Sequence, residues 1–201
     1  MIGAFHQPVG VIADTSFLQT LPEREISCGL SEMIKHGLIS DINYFCWLEE
    51  NIEQILRLET RAIEEAIGKS IEIKTSFVKE DEKEANVRAL LNFGHTFGHA
   101  IELIGEFKDY NHGEAVAIGM LLALELSERI GNISKQDCIR VRELLDKAKI
   151  DTRIKNPINS NHLYKAMMGD KKKRGNILNL VVLEDLGKAK VTNEIDESLI
   201  L

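Results

Sequence analysis

The sequence contains few of the features that mark a secreted or disulfide-bonded protein. Its three cysteines, Cys28, Cys46 and Cys138, are odd in number and far apart. They therefore form neither a disulfide framework nor a metal-binding cysteine pattern. The N-terminus also lacks the basic segment and the long apolar run of a signal peptide. These absences predict a reducing compartment, and we expect a cytoplasmic protein.

Long apolar runs and an excess of positive charge are also absent. The longest apolar run, residues 115–124, is about half as long as a membrane span needs to be. The formal net charge of −7 argues against nucleic acid as the main partner, although a local basic pocket can still bind an anion. We therefore expect a globular protein that binds neither membrane nor nucleic acid.

The apolar periodicity predicts a mainly α, multi-helical domain with a small C-terminal β-hairpin. The start signals are a Thr20–Glu23 capping box, either Ser40 or Asp41, Thr60 and Ser134. The predicted helices cover residues 23–39, 42–58, 60–78, 113–130, 135–149 and 161–168, and residues 86–91 lead into a further helix that carries His95 and His99. Apolar runs at residues 177–183 and 189–192 predict the hairpin. Residues 9–13 form a further β-like run, but no partner strand is evident near it.

Three of the six histidines, His95, His99 and His112, lie within 18 residues. His95 and His99 are four residues apart, so on a helix they share one face. His112 begins the next apolar helical run, and two helices that meet at a shallow angle could bring His95 and His112 together. An isolated pair with this spacing is more often incidental. Gly94 and Gly98 each cost about 1 kcal/mol in a helix, which favours close backbone approach or a ligand.

Glu32 and Lys35 are three residues apart, so they share one face of a predicted helix. In isolation this pair is more typical of a surface ion pair, but residues 28–39 contain little other charge. Together with His95 and His112, Glu32 would give three protein ligands and an open fourth position, as a catalytic zinc ion requires.

Further cationic and polar residues could surround a ligand that carries phosphate or carboxylate. They are Lys35, Lys74, Arg88, Asn92 and the run 171–174. Each alone is more typical of an exposed side chain, and the run 171–174 is equally compatible with a turn before the hairpin. His99 would remain available for proton transfer or for contact with phosphate.

The motifs around these residues resemble those of the 3-dehydroquinate synthase family. The two central motifs are residues 92–102 (Asn-Phe-Gly-His-Thr-Phe-Gly-His-Ala-Ile-Glu) and residues 112–120 (His-Gly-Glu-Ala-Val-Ala-Ile-Gly-Met). Further matches are residues 21–25, 29–37, 81–82, 88–92 and 170–172. The resemblance extends in order over essentially the whole chain.

The resemblance implies the C-terminal half of the dehydroquinate synthase or iron-type alcohol dehydrogenase-like fold. Residues 1–15 would be the remnant of a strand that leads out of a nucleotide-binding domain, and residues 16–201 would be the helical metal- and substrate-binding domain. The implied enzyme is a phosphate-eliminating carbon–oxygen lyase of the shikimate pathway, commonly a homodimer. It converts 3-deoxy-D-arabino-heptulosonate 7-phosphate to 3-dehydroquinate and phosphate, with NAD and zinc or cobalt as cofactors. NAD would be bound mainly by the other domain, so we expect little turnover by this chain alone.

The resemblance also implies roles for individual residues. It implies that the metal ligands are Glu32, His95 and His112. The substrate-binding residues would be Lys35, Lys74, Arg88, Asn92, His99 and one of Lys171 and Lys172, of which Lys172 is preferred. Lys35 and His99 would also be catalytic. Two alternatives remain, a related sugar-phosphate cyclase and a non-catalytic metal-binding module of the same fold, and His99 favours dehydroquinate synthase because some related cyclases replace it.

Overall fold

The computed structural model describes residues 6–83, 86–155, 157–171 and 178–200. In these residues the α-helices are α1 (Glu23–Ser40), α2 (Ile42–Leu56), α3 (Thr60–Glu80), α4 (His95–Ile104), α5 (His112–Arg129), α6 (Lys135–Lys147) and α7 (Ser160–Lys171). A hairpin of β1 (Leu180–Asp185) and β2 (Lys188–Thr192) follows. Short 3-10 helices cover Thr15–Thr20, Val87–Asn92 and Glu197–Leu199. The predicted mainly α fold with a late hairpin is thus confirmed.

The helix starts confirm two predicted caps and contradict a third. Side chains of Asp41 and Ser134 accept the backbone N–H that lies three residues further on, at the starts of α2 and α6. The predicted capping box at Thr20 is wrong. The hydroxyl of Thr20 instead donates to the carbonyl of Phe17 at 2.9 Å, and Pro22 precedes α1 without a side-chain cap. Thr20 ends a 3-10 helix of its own, so its hydroxyl satisfies the preceding turn rather than the following helix.

Helix α5 is the centre of the hydrophobic core. Val116, Met120 and Leu124 are fully buried on it, and α5 packs against α1, α4, α6 and β1. Complete burial of one such side chain stabilises the fold by about 1.5–3 kcal/mol. No helix in the described part of the chain combines the length and the apolar character needed to cross a membrane.

The hairpin is stabilised by the helices beside it, since an isolated two-stranded hairpin is only marginally stable. Backbone N–H of Leu183 in β1 donates to the Ser127 hydroxyl at 3.0 Å, and the Asn132 side chain donates to the Leu183 carbonyl at 2.8 Å. At the turn, Gly187 (φ +83°) donates its N–H to the Leu38 carbonyl at 2.9 Å. These contacts fix the hairpin to α5 and to the end of α1.

Residues 9–13 do not form a strand within the described part of the chain. The side chains of Val9, Val11 and Ile12 are exposed. A strand needs a hydrogen-bonded neighbour, and these residues have none here. The interpretation of residues 1–15 as the remnant of a strand from another domain stays a prediction, and residues 1–5 lie outside the described residues.

Candidate metal and substrate site

Close packing of α4 against α5 brings the three histidines together. Gly94 adopts φ +77°, and a Cβ on Gly119 would lie 2.1 Å from the Gly94 carbonyl oxygen. A Cβ on Gly98 would lie 3.0 Å from the Ala115 carbonyl oxygen. The glycines near the histidines therefore serve close backbone approach, which is one of the two explanations that the sequence left open.

The two helices begin with the predicted ligands, His95 in α4 and His112 in α5, and their ring centroids are 5.3 Å apart. Glu32 reaches the same point from α1, where its Oε1 lies 3.6 Å from Nε2 of His95. One ligand atom of Glu32, one of His95 and one of His112 all lie within 4.8 Å of one another. The structure thus brings together the three side chains that the sequence singled out as a metal-binding set.

The donor atoms of this set fit a zinc or cobalt ion. Oε1 of Glu32 is buried and accepts no hydrogen bond from the described residues, and a buried acceptor without a partner is costly. Nδ1 of His95 lies 3.2 Å from the Phe93 carbonyl oxygen. Since a carbonyl only accepts, Nδ1 carries the proton and Nε2 retains its lone pair towards Glu32. One carboxylate and two imidazoles, with a position left for substrate, are typical of catalytic zinc.

The electrostatics favour the ligand forms of Glu32 and His95. Burial lowers the pKa of His95 to about 4, and the charge of Lys35 adds to this shift, so its ring is neutral near pH 7. Burial alone would raise the pKa of Glu32, but Lys35 opposes it strongly enough that the net pKa lies below the ordinary value. An ionised carboxylate and a neutral imidazole are the forms that bind metals.

Lys35 is a buried residue, which excludes the simple surface ion pair. Its side chain is 3% exposed, and Nζ donates to Oε2 of Glu32 at 2.6 Å. Burial lowers the pKa of Lys35, while the Glu32 carboxylate opposes the shift. Lys35 therefore lies inside the site, and its ammonium group occupies one of the two carboxylate oxygens of Glu32.

A polar cavity of about 180 Å³ adjoins the pair and is lined by Glu32, Lys35, His36, Lys74, Arg88, Leu91, Asn92 and His95. Six of these eight residues were predicted from the sequence. Arg88 and Asn92 lie in the 3-10 helix before α4. The start of this 3-10 helix is held by Asp81, whose Oδ2 accepts the backbone N–H groups of Asn86 and Arg88 at 2.6 and 3.2 Å. Three cationic side chains along one cavity are suited to an anionic ligand.

His99 lies next to the metal-binding set. Its ring centroid is 5.4 Å from that of His95 and 6.2 Å from that of His112, and the side chain is exposed. Of the two candidate lysines, Lys171 is the last residue of α7 and Lys172 lies outside the described residues. The predicted contact of either lysine with substrate stays a prediction.

Sequence reasoning missed two residues of the site, His36 and Glu102. His36 is buried, lines the cavity, and has its Nδ1 2.8 Å from the Ser70 hydroxyl; burial lowers its pKa to about 4. Oε1 of Glu102 lies 3.1 Å from Nδ1 of His112. Helical spacing could have indicated both, because His36 follows Glu32 by four residues and Glu102 follows His99 by three.

Comparison with known proteins supports the family resemblance. The family described as 3-dehydroquinate synthase C-terminal matches residues 29–173. The 3-dehydroquinate synthase of Dichelobacter nodosus is 46% identical over 198 residues, which are 98% of this chain and 54% of that protein. The 3-dehydroquinate synthase of Nitrosospira multiformis is 44% identical over 201 residues, which are 100% of this chain and 54% of that protein. The chain thus spans about half the length of the curated relatives that it matches.

Solved structures show the same fold. The 2-epi-5-epi-valiolone synthase of Streptomyces hygroscopicus subsp. jinggangensis 5008, with NAD⁺ and Zn²⁺ bound, superposes with a TM-score of 0.84 at 24% identity, over 93% of this chain and 52% of that one. A 2-deoxy-scyllo-inosose synthase complexed with carbaglucose-6-phosphate, NAD⁺ and Co²⁺ superposes with a TM-score of 0.76 at 27% identity, over 93% and 53%. With the match over residues 29–173, we conclude that this chain belongs to the 3-dehydroquinate synthase C-terminal family.

Proposed function

We propose that this chain is the metal- and substrate-binding part of a 3-dehydroquinate synthase, a phosphate-eliminating carbon–oxygen lyase. The observation that carries the proposal is the convergence of Glu32, His95 and His112 beside a cavity lined by Lys35, Lys74 and Arg88. The substrate would be 3-deoxy-D-arabino-heptulosonate 7-phosphate, and the products would be 3-dehydroquinate and phosphate. The curated relatives named 3-dehydroquinate synthase support this substrate.

The proposed cofactors are a divalent zinc or cobalt ion and NAD. Glu32 Oε1, His95 Nε2 and His112 would hold the ion. The bound ion would acidify a substrate hydroxyl and polarise the ketone derived from it, while NAD would accept and return a hydride. No residue of this chain is proposed as an NAD ligand. The related cyclases solved with NAD⁺ and with Zn²⁺ or Co²⁺ support this assignment.

The other residues would bind and orient the substrate. Lys74 and Arg88 line the cavity and would neutralise the phosphate and carboxylate groups. Lys35, already bonded to Oε2 of Glu32, would hold that carboxylate in place and approach a substrate hydroxyl. Asn92 would contribute a hydrogen bond to the substrate. His99 would hold or transfer a proton, because an imidazole ring can both accept and donate one.

The first test measures metal and ligand binding by this chain. We expect isothermal titration calorimetry to give about one zinc ion per chain, and the heptulosonate phosphate to bind only when zinc is present. Lys74→Met should weaken this binding by about 10–100-fold, since a hydrogen bond to a charged group contributes roughly 1.5–3 kcal/mol. The matched control is Lys69→Met on the same helix, which removes an exposed lysine paired with Glu72. Equal weakening by both variants would contradict the proposed role of Lys74.

The second test measures turnover. We expect this chain alone to release little phosphate from the heptulosonate phosphate, even with NAD and zinc. The Dichelobacter nodosus relative contains a part that this chain does not match. Supplying that part, either fused to this chain or as a separate chain, should restore NAD-dependent release of phosphate. Absence of release from a folded, zinc-loaded fusion would contradict the proposed reaction. Rapid release by this chain alone would contradict the need for another domain.

A related sugar-phosphate cyclase is the second candidate function. The 2-deoxy-scyllo-inosose synthase that shares this fold was solved with carbaglucose-6-phosphate, so a six-carbon sugar phosphate is a specific alternative. The fusion protein should be assayed with glucose 6-phosphate and sedoheptulose 7-phosphate beside the heptulosonate phosphate. A preference for either alternative substrate would favour this candidate over dehydroquinate synthase. Zinc binding without turnover of any of the three would favour a non-catalytic metal-binding module.

A further inference from the structure

Both histidines of the metal-binding set direct Nδ1 at an oxygen acceptor. His95 uses the Phe93 carbonyl at 3.2 Å, and His112 uses Oε1 of Glu102 at 3.1 Å. A carbonyl cannot donate, and neither can an ionised carboxylate, so Nδ1 carries the proton in both rings. A ring that carries its single proton on Nδ1 keeps on Nε2 the lone pair that a metal ion needs.

The surroundings of Glu102 point to a specific task. Its side chain is only 13% exposed, whereas that of His112 is 47% exposed. Within the described part of the chain, no lysine or arginine lies within 4.0 Å of the Glu102 carboxylate, and its hydrogen-bond partner is His112. A mostly buried carboxylate costs free energy unless it is well paired. An exposed histidine compensates for that cost less than a lysine or arginine would, so a contribution to stability alone does not explain this residue.

The position of Glu102 on α4 couples the two helices of the site. His95, His99 and Glu102 follow one another at intervals of four and three residues, so they lie on one helix face. That face carries one proposed ligand, His95, and the carboxylate that contacts the other, His112 at the start of α5. Helix α4 thus holds His95 directly and His112 through Glu102.

We propose that Glu102 is a positioning residue that fixes the ring orientation and the Nδ1–H tautomer of His112. This inference rests on the proposed metal centre. Histidines that bind metals commonly donate their other ring N–H to a carboxylate, and loss of that partner typically weakens metal binding by about 10–100-fold. His112 is the first residue of α5 and its side chain is 47% exposed, so its contacts with the rings of His95 and His99 cover only part of it. The hydrogen bond to Glu102 adds a directional restraint on the ring.

A second metal site formed by His99, Glu102 and His112 is the competing explanation. Their ligand atoms also lie within 4.8 Å of one another. Nδ1 of His112 would have to lose its proton for a metal to bind between it and Glu102, whereas the 3.1 Å contact has the geometry of an ordinary hydrogen bond. We therefore favour the positioning role, and the measurement below distinguishes the two.

The first measurement uses the metal-free chain, so it does not depend on the proposed metal centre. Long-range ¹H–¹⁵N NMR at pH 8 reports which ring nitrogen of His112 is protonated. We expect the Nδ1–H tautomer in the unmodified chain and in Glu102→Gln, whose amide oxygen still accepts. In Glu102→Ala we expect a shift towards the Nε2–H tautomer, which predominates in free histidine. An Nε2–H tautomer in the unmodified chain would overturn the proposal.

The second measurement is zinc affinity by competition with a chromophoric chelator. Glu102→Ala should weaken zinc binding by about 10–100-fold, and Glu102→Gln should recover most of that loss. The control Glu125→Gln, which alters an exposed carboxylate paired with Arg129 on α5, should leave the affinity unchanged. Two zinc ions per chain, the second lost in both Glu102 variants, would overturn the positioning role in favour of a second site. Absence of zinc binding by the unmodified chain would overturn the metal centre itself, and the tautomer would then still decide whether Glu102 orients His112.

Discussion

Two carboxylates near the start of α5, the buried Glu114 and the partly buried Glu32, use their oxygens in different ways. Both oxygens of Glu114 are occupied, by Nε and Nη2 of Arg24 at 2.7 and 2.6 Å and by the backbone N–H of Asn111 at 3.0 Å. Glu32 uses Oε2 for Lys35 at 2.6 Å, while its buried Oε1 accepts nothing from the described residues. A fully bonded carboxylate completes the fold, whereas a buried oxygen without a donor remains available for a ligand.

The contacts of Glu114 also set the geometry that Glu32 uses. Glu114 completes the capping box of α5 with Asn111, and Arg24 ties that helix start to α1. Beside them, Gly113 donates its N–H to Sγ of Cys28 at 3.1 Å, so α1 lies directly against the first turn of α5. Glu32 and His112 are carried by these two helices, and the structural contacts therefore hold the proposed ligands within reach of each other.

The largest expected effect comes from disturbing the packing of α4 against α5, because this packing brings His95 and His112 together. Gly119→Ala would place a Cβ 2.1 Å from the Gly94 carbonyl oxygen, so the helices must move apart. We expect a loss of about 3 kcal/mol in the free energy of unfolding and weaker zinc binding, measured by urea denaturation and calorimetry. The control is Gly68→Ala, where a Cβ meets nothing within 4 Å, and it should stabilise α3 by roughly 0.5–1 kcal/mol. Similar destabilisation by both variants would contradict this account.

The next largest effect is expected for a variant that weakens metal binding far more than it destabilises the fold. His112→Ala should weaken zinc binding by more than about 100-fold, since loss of a ligand exceeds the loss of a ligand's hydrogen-bond partner. The melting temperature of the metal-free chain should fall only modestly, because the His112 side chain is 47% exposed although its loss removes the partner of the Glu102 carboxylate. Inductively coupled plasma mass spectrometry and thermal denaturation check the two expectations. Replacement of His162, an exposed histidine on α7, by alanine is the control, and retained zinc in His112→Ala would place the metal elsewhere.

The complementary variant is Glu114→Ala, which should affect stability and leave the proposed metal set intact. It removes the half of the capping box in which Glu114 accepts the backbone N–H of Asn111, worth about 1 kcal/mol, and the charge-assisted bonds to Arg24, whose side chain is 54% exposed. We expect a total loss of about 2 kcal/mol in the free energy of unfolding, with zinc stoichiometry still near one per chain. Loss of zinc under conditions where the variant remains folded would contradict the purely structural role of Glu114.

The smallest expected effect tests whether a metal ion can replace the role of Lys35. Lys35→Met leaves the Glu32 carboxylate without its cation, and we expect a loss of about 1 kcal/mol in the metal-free chain because Glu32 is one-third exposed. Saturating zinc should reduce this loss, since the ion would partner the same carboxylate. Denaturation with and without zinc checks the difference, and Lys69→Met is the exposed control. An equal loss under both conditions would argue against Glu32 as a ligand.

The local features of the fold could be predicted from the sequence. Apolar periodicity indicated the helices, Ser134 and either Ser40 or Asp41 were the candidate caps of α6 and α2, and two apolar runs indicated the hairpin. The Thr20 capping box was wrong because the 3-10 helix before it uses the same hydroxyl, a choice between two local partners that spacing does not resolve. For the site, spacing and family resemblance together indicated Glu32, His95 and His112, and their role as ligands stays a prediction.

The contacts that the sequence did not indicate join residues distant in the chain. The pairing of Glu102 with His112 crosses the link between α4 and α5, and that of Arg24 with Glu114 spans 90 residues. His36 was passed over although it lies one turn from Glu32, because its burial against Ser70 depends on where α3 packs. Periodicity describes which face of a helix is buried, but it does not say which neighbour covers that face.

By itself the sequence determined which side chains share a helix face, where helices begin, and that the chain is mainly helical, because these properties depend on neighbours within a few residues. The tertiary structure decided which of the polar side chains are satisfied and which are not. The close approach of α4 and α5 at Gly119 and Gly94 and the packing of α1 against the start of α5 left Oε1 of Glu32 buried beside His95. That juxtaposition depends on three helices at once, and it is the physical basis of the proposed site.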